Sequence, residues 1–274
     1  MLSESFALLQ QEGFLTRSSL LAGFNSLRKA NVDDINKGFF YSAFFELSIG
    51  LERLMKLVIV IDYMSKNNLA PMTDEELKNK YGHRIESLYI ACKKLSTEMN
   101  RPNENFFDQA DFEWNIIHFL HEFALSSRYY NLSKLSNKHK SNDPLKEWWD
   151  ILICIIHSDL TQKRLENIHS NSLQYCDELG GNQFTLMRGL HGQLMTTLDA
   201  IMDPQLVAAA APYSVWRVFT ILQPFYHLLS NVVEAAHKIE IEKGINYPLI
   251  PYMDEFFPFL LLPKSIVIKR RKWG

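Results

Sequence analysis

Arg128 and Tyr129 are adjacent at the end of a long apolar segment, and both side chains can bind nucleic acid. A guanidinium group holds a phosphate through paired hydrogen bonds, and an aromatic ring stacks on a base. The alternative is structural: Arg128 caps carbonyl groups at a helix end while Tyr129 anchors the following loop. His83, at a helix start, likewise has two interpretations, contact with a nucleotide or a hydrogen bond to neighbouring backbone.

A basic segment, Lys269-Arg270-Arg271-Lys272, precedes Trp273. It could attract RNA or DNA with Trp273 as a stacking face, dock a protein partner, or only solubilise the terminus. The stretch from Lys264 to Gly274 holds five of the 29 basic residues and no acid, so the rest of the chain has 24 basic residues against 31 acids. Because phosphate binding depends on clustered cations, we do not expect a broad nucleic-acid-binding surface on that remainder.

Other patterns that carry chemistry argue against metal and cofactor sites. His118 and His121 are three residues apart with Glu122 adjacent, but no HExxH motif is present. On a helix His121 and Glu122 point in different directions, so a structural pair is favoured over a metal site. The sequence has no Walker loop, no glycine-rich dinucleotide turn and no Gly-x-Ser-x-Gly elbow, so we expect no cofactor.

The cysteines and the apolar segments indicate a cellular compartment. Cys92, Cys154 and Cys176 are odd in number and lack CxxC spacing, which argues against a disulfide framework. The N-terminus does not have the pattern of a secretory signal, and no stretch reaches the roughly 18 apolar residues of a membrane span. We therefore expect a cytoplasmic protein without a membrane association.

The elements that position these residues are predicted to be helices. Eighteen Phe, 11 Tyr and five Trp against 11 Gly and 10 Pro favour an all-α fold over a many-stranded one. The longest predicted helix runs from Asp33 or Asp34 to about Lys66, because apolar residues recur there at helical spacing. The other predicted helices cover 3–12 ending at Gly13, 16–30, a short one after Thr73, one carrying Ile85 to Leu95, 106–128, 144 into the 160s, shorter helices over 184–201, and 214–243 with a kink at Pro224.

Two further segments are predicted to lie outside the helices. Residues 133–142 are rich in Lys and Asn and indicate an exposed loop. The end of the chain, from Tyr247 onward, has four prolines and an Ile266-Val267-Ile268 triplet, which suggests an extended tail against the body. Gly180-Gly181 marks the boundary between two predicted domains, 1–178 and 183–274, with the second packed on the first.

Three motifs follow one another in order along the predicted helices. The first is a long helix with Glu, three residues and then Lys, here within 44–56. The second is a short turn containing His, here Tyr81 to Leu88, and the third is an Arg-Tyr segment at a helix end, here Ser127 to Asn131. In this order the three motifs resemble the HEPN superfamily of helical-bundle domains, in the branch associated with nucleotidyltransferases. The resemblance covers roughly residues 35 to 165. It implies an antiparallel helical bundle, extended here by C-terminal helices.

The resemblance also implies where a ligand would bind. It assigns RNA or nucleotide contact to Lys56, His83, Arg128, Tyr129 and Asn131. The basic segment adds Lys269, Arg270 and Arg271 to this set.

Ribonuclease members of the family need no metal, since a cation stabilises charge on the phosphate while a histidine moves a proton. They carry Arg, four to six residues, then His. After Arg128 the next histidine is His139, with ten residues between them, whereas Arg164 and His169 have the required spacing but lie one helix later.

These features favour a HEPN-like protein without catalysis that binds nucleic acid or a protein partner. The resemblance places it in a bacterial stress, toxin-antitoxin or phage-defence system and implies a homodimer. Two alternatives stay open. One is a metal-independent endoribonuclease that uses Arg128 or the pair Arg164 and His169, and the other is a structural adaptor.

Overall fold

A computed structural model describes residues 3–99, 105–137 and 141–274. Within these ranges the chain is mostly helical, with one small two-stranded sheet, which confirms the all-α class and the helical bundle. The elements are α1 (Glu4–Lys29), α2 (Gly38–Lys66), α3 (Asp74–Lys80), α4 (Ile85–Glu98), α5 (Phe112–Leu125), α6 (Tyr130–Leu135), α7 (Pro144–Asp159), α8 (Gln162–Glu178), β1 (Phe184–Arg188), β2 (Leu194–Thr196), α9 (Thr197–Leu222), α10 (Pro224–Glu242) and α11 (Lys264–Val267).

The hairpin of α1 and α2 is the most extensive helix pair in the described chain. Each helix places a glycine against a leucine of the other. A Cβ atom added to Gly23 would lie 2.6 Å from Leu47 Cγ, and one added to Gly50 would lie 2.7 Å from Leu20 Cδ2. Because both distances are too short for carbon atoms in contact, larger residues at these positions would push the two helices apart.

α1 is one continuous helix, so the predicted break at Gly13 is wrong. Gly13 is buried inside the helix, where a Cβ atom would lie 2.9 Å from the Phe256 ring. The glycine is needed for the close approach of this aromatic ring rather than for a helix end. Tertiary packing here overrides the usual preference of glycine for a helix terminus.

The predicted start of the long helix is also displaced. α2 begins at Gly38, because the Asp33 carboxylate accepts hydrogen bonds from the backbone of Ile35 and Asn36 and closes a turn. The capping box at Thr73 and Glu76 and the N-cap of Asp143 before Pro144 are both present. These local signals were sufficient because the hydrogen bonds between cap side chains and the backbone form within a few residues.

The ends of two other predicted helices and the extent of one predicted loop differ from the structure. The segment from Phe106 enters α5 only at Phe112, since the backbone N–H of Phe107 donates to Tyr89 Oη at 3.0 Å. α7 ends at Asp159, and an extended Leu160 separates it from α8. The predicted loop over 133–142 is in part helical, because α6 extends to Leu135.

Residues 184–201, predicted as helices, contain a β-hairpin followed by the start of α9. Phe184 pairs with Thr196 and Arg188 pairs with Leu194. Gly192 has a φ of +81°, a conformation that tight turns require and that other residues avoid. The sequence prediction takes the short run of apolar residues in β1 as helical, whereas the run forms a strand.

The C-terminal section contributes to the same core as the first helices. α10 packs on α2, and α9 packs on α1, α7 and α8. Pro224 separates α9 from α10, so two helices replace the single kinked helix that was predicted. Pro224 stands in the first turn of α10, where a missing N–H costs nothing.

The chain end folds back on the helices, and its predicted extended triplet is wrong. Ile266 and Val267 belong to the single helical turn of α11. Trp273 is only 2% exposed and packs against the rings of Phe24, Phe219 and Phe259. It is therefore a core residue and cannot serve as the stacking face for a base that the sequence suggested.

Candidate functional site

A cleft of about 240 Å³ lies between α2, the turn before α4 and the end of α5. It brings together two of the predicted site residues, His83 and Arg128. Its lining combines charged and apolar side chains, namely Phe45, Ser48, Ile49, Glu52, Arg53, His83, Phe123, Ala124 and Arg128. We call it the Glu52 cleft.

Glu52 pairs with two predicted site residues at the edge of this cleft. Its Oε1 accepts a hydrogen bond from Lys56 Nζ at 2.6 Å, one helical turn further along α2. The same carboxylate lies 3.1 and 3.2 Å from His83 Nδ1. Glu52 is 13% exposed and His83 72% exposed, so a nearly buried carboxylate holds a ring that reaches solvent.

The turn that carries His83 is fixed by its neighbours. Gly82 has a φ of +53°, which turns the chain sharply after α3. The Arg84 guanidinium donates to the carbonyls of Asn79, Lys80 and Tyr81 at 3.0, 2.7 and 3.1 Å, so it caps the end of α3. With Nδ1 facing the Glu52 carboxylate, the neutral ring carries its proton there and leaves Nε2 to accept a proton or a hydrogen bond.

Arg128 is an unpaired cation within the described chain. It lies in the 3-10 turn Ser127–Tyr129 that follows α5, and its guanidinium sits 5.2 Å above the Tyr129 ring. It forms no salt bridge and no hydrogen bond to a helix carbonyl among the described residues, unlike the cap that the structural alternative requires. Arg53, by contrast, donates to Glu12 Oε2 at 2.6 Å.

The other predicted residues near this end of the bundle do not line the cleft. Asn131 Nδ2 lies 3.4 Å from Tyr41 Oη, and burial raises the pKa of Tyr41 to about 12. His118 Nδ1 is 2.7 Å from Glu86 Oε1, and His121 Nδ1 is buried without a hydrogen-bond partner among the described residues. In the part of the chain that the structure describes, no group of three metal-ligating side chains could hold an ion.

Arg164 and His169 are both exposed on α8, away from the Glu52 cleft. Five residues along an α-helix turn the chain by about 140° beyond a full turn, so the two side chains leave the helix in different directions. His139, the next histidine after Arg128, lies outside the described residues.

The basic segment at the chain end also lies apart from the Glu52 cleft. The Arg270 guanidinium stacks on the Trp273 ring at 4.8 Å, and Arg271 lies near the end of α1. Lys269 is exposed. The predicted residues therefore fall into three groups, one at or beside the cleft, one on α8 and one at the tail.

From α2 the sequence prediction named Lys56 as a site residue and included Glu52 in a motif, but it did not select the residues of α2 that line the cleft. Phe45, Ser48, Ile49, Glu52 and Arg53 recur at spacings of three and four, which places them on one face of α2. This face lies beside the apolar stripe of the core. Its mixture of polar and apolar residues was the signal that could have indicated the cleft.

Comparison of the chain with protein-family models, curated proteins and solved structures found no similarity. No helix over residues 3–99, 105–137 and 141–274 has the length and apolar character to cross a membrane.

Proposed function

We propose that this chain is a HEPN-like protein that binds single-stranded RNA or a nucleotide in the Glu52 cleft without cutting it. The observation that carries the proposal is that His83 and Arg128, far apart in sequence, line one cleft. The family assignment comes from the sequence motifs, and the setting in bacterial stress, toxin-antitoxin or phage defence comes from that resemblance alone.

The chemistry of the cleft fits one nucleotide unit. Arg128 has no carboxylate partner among the described residues, so its fork of N–H donors is available to phosphate oxygens. Phe45 is an exposed aromatic ring on the cleft wall and offers a surface for a base. His83 Nε2 supplies a hydrogen bond whose direction Glu52 fixes.

Fluorescence anisotropy with a labelled 12-nucleotide single-stranded RNA tests the proposal. We expect Arg128→Ala to weaken binding about tenfold or more, the loss of one charge-assisted pair. Arg188→Ala removes the same group from the exposed hairpin, where it donates to Gly192 O, and serves as the matched control. Equal affinities for wild type, Arg128→Ala and His83→Ala would refute binding at this cleft.

A second function, metal-independent RNA cleavage, is favoured by one observation, the Glu52–His83 contact. A carboxylate that orients a histidine prepares Nε2 to take a proton from a 2′-hydroxyl, while Arg128 stabilises charge on the phosphate. Incubation of total RNA with the protein in EDTA separates the candidates. Cleavage that His83→Gln abolishes supports this second function, and cleavage abolished by Arg164→Ala and His169→Ala assigns it to α8 instead.

The resemblance also leads us to propose a cytoplasmic homodimer. The hairpin exposes Phe184 and Leu186, the latter 99% exposed, and these are unusual positions for large apolar side chains in a monomer. Light scattering at micromolar concentration tests this point, since a monomeric mass refutes it. A structural adaptor that binds only a protein partner is the remaining alternative, and it predicts no RNA binding at all.

A further inference from the structure

A groove of about 580 Å³ lies between α2 and α4, and the end of α3 contributes to its lining. It shares no lining residue with the Glu52 cleft. Pockets that hold small organic ligands measure about 300–1,000 Å³, so the groove has the size of such a site. We call it the Ile90 groove, and its apolar lining includes Ile59, Met72, Tyr81, Ile90, Ala91 and Leu95.

Most of the surface inside the groove is apolar, although the groove is open to solvent. Ile90, in the middle of α4, is 49% exposed. Ile59 and Leu95 lie deeper, since both are buried and belong to the core of the bundle. A ligand with an apolar chain would remove Ile90 from water, and this burial is favourable because it reduces the apolar surface in contact with solvent.

Three lysines and two acids line the groove, and their charges are balanced to different extents. Lys66 Nζ donates to Asp62 Oδ2 at 2.9 Å. Lys94 Nζ lies 3.7 Å from Glu98 Oε1, and this pair is weak because both side chains are exposed. Lys80 has no carboxylate partner among the described residues. The lining therefore carries one positive charge in excess.

Lys80 lies against the apolar lining of the groove. Its Nζ is 5.3 Å from the centroid of the Tyr81 ring, and Tyr81 is itself buried and lines the groove. An ammonium group over an aromatic ring is attracted by the ring and still has N–H donors for an anion. The Ile90 groove thus combines an apolar surface with an available cation at its border.

We propose that the Ile90 groove binds an anionic amphiphile, a small molecule with an apolar chain and a carboxylate or phosphate head. The chain covers Ile90 and Ala91, and the head accepts hydrogen bonds from Lys80 Nζ. Lys94 is a second donor, since its weak pair with Glu98 can exchange for the ligand. The excess positive charge selects an anion, because a cation with the same chain is repelled.

Isothermal titration calorimetry with sodium decanoate, at concentrations below those at which it forms micelles, tests the proposal. We expect one molecule to bind per chain. Decylamine has the same chain and the opposite charge, and it should bind about tenfold more weakly or less. Decyl phosphate identifies the head group: tighter binding than decanoate assigns the site to a phosphate, and weaker binding assigns it to a carboxylate.

Two pairs of variants locate the site. Ile90→Glu should weaken decanoate binding about tenfold or more, whereas Ile266→Glu is the matched control, since Ile266 on α11 is also 49% exposed but lies outside the groove. Lys80→Glu should weaken binding by a similar factor, and Lys78→Glu, on α3 but outside the lining, should change it by less than about twofold. All four positions are exposed, so the variants should fold, which circular dichroism checks.

Three outcomes would overturn the proposal. The first is a wild-type protein that binds neither decanoate nor decyl phosphate. The second is equal affinity for decylamine, or an equal loss in Ile90→Glu and Ile266→Glu, which would indicate unspecific contact with apolar surface. The third is a dimer that Ile90→Glu converts to a monomer in light scattering while decanoate does not bind, which would assign the groove to a second copy of the chain.

The result is independent of RNA binding in the Glu52 cleft, because the two sites have no residue in common. Arg128→Ala should therefore leave the affinity for decanoate unchanged. Failure of RNA binding does not affect this proposal, and failure of decanoate binding does not affect the other.

Discussion

Arg217 and Arg28 are both partly buried arginines, but their surroundings have opposite charge. Arg217 in α9 donates to Asp159 Oδ2 at 2.8 Å and to Glu113 Oε1 at 2.7 Å. Burial lowers the pKa of Arg217, but the hydrogen bonds to Glu113 and Asp159 outweigh it and raise the pKa. Burial lowers the pKa of Arg28, and the positive charges of Arg271 and Arg164 lower it further.

The difference separates a cation that joins helices from one that has no carboxylate partner among the described residues. Arg217 joins α9 to α5 and α7, and Lys264 adds a contact from α11 to the same Asp159 at 3.2 Å. Each charged side chain in this network has a partner of opposite charge. Residue type alone does not distinguish the two arginines, whereas the sign of the neighbouring charges does.

Removal of Arg217 should have the largest effect on stability. Arg217→Ala leaves Asp159 and Glu113, whose side chains are 4% and 9% exposed, without their main partner. Breaking a buried pair costs about 3 kcal/mol, so we expect a loss of that size in the free energy of unfolding by urea. Lys238→Ala, at an exposed pair with Glu234, is the control and should change stability by less than about 1 kcal/mol. Equal effects in the two variants would refute the contrast.

Asp203 is a buried acidic residue that lies near another charge of the same sign, Asp199. Burial and the charge of Asp199 raise the pKa of Asp203 from 3.8 to about 7. The folded state then binds the proton more tightly than the unfolded chain, so stability falls as pH rises from about 4 to about 7. Asp203→Asn should remove this loss and stabilise the protein by about 1 to 2 kcal/mol at pH 8, less than full linkage because buried sites relax.

The pH dependence is the control for Asp203→Asn. Urea unfolding of both proteins at about pH 4 should give nearly equal stabilities, because Asp203 is then largely protonated in the folded state. A difference of the same size at both pH values would show that the substitution acts through packing and not through the charge.

Neutralisation of Arg28 should give the smallest effect, with the opposite sign to Arg217→Ala. Arg28→Gln removes a partly buried charge and its repulsion from Arg271 and Arg164, and we expect a gain of roughly 0.5 kcal/mol, typical of partly exposed charges. High NaCl should reduce the gain, since ions screen such repulsion. Destabilisation by Arg28→Gln at low salt would mean that Arg28 has a structural role.

The sequence was sufficient to predict the helices whose capping residues and apolar spacing are local signals. The capping box of Thr73 and Glu76 and the stripe of α2 depend on residues a few positions apart. The hairpin at 184–196 and the continuity of α1 through Gly13 depend instead on long-range packing. No local pattern indicates that Phe256 lies over Gly13, so a glycine in a helix was read as a terminus.

The residues of the candidate site could also be predicted only in part, because long-range packing decides which of them come together. His83 and Arg128 were chosen from motifs, and the fold brings them to one cleft. Arg164 and Arg271 were chosen for separate reasons, and neither lines this cleft. Trp273 was misread because a terminal aromatic residue after a run of cations resembles a solvent-exposed segment.

The hydrogen bonds between Asn25 and Trp273 span 248 residues of sequence, which has a consequence for the order of folding. While the intervening chain is being synthesised, the apolar patch around Phe24 remains without the indole ring that covers it. Contacts of such long separation form late and slowly. We therefore expect the nascent protein to be most vulnerable to aggregation and proteolysis until this closing contact forms.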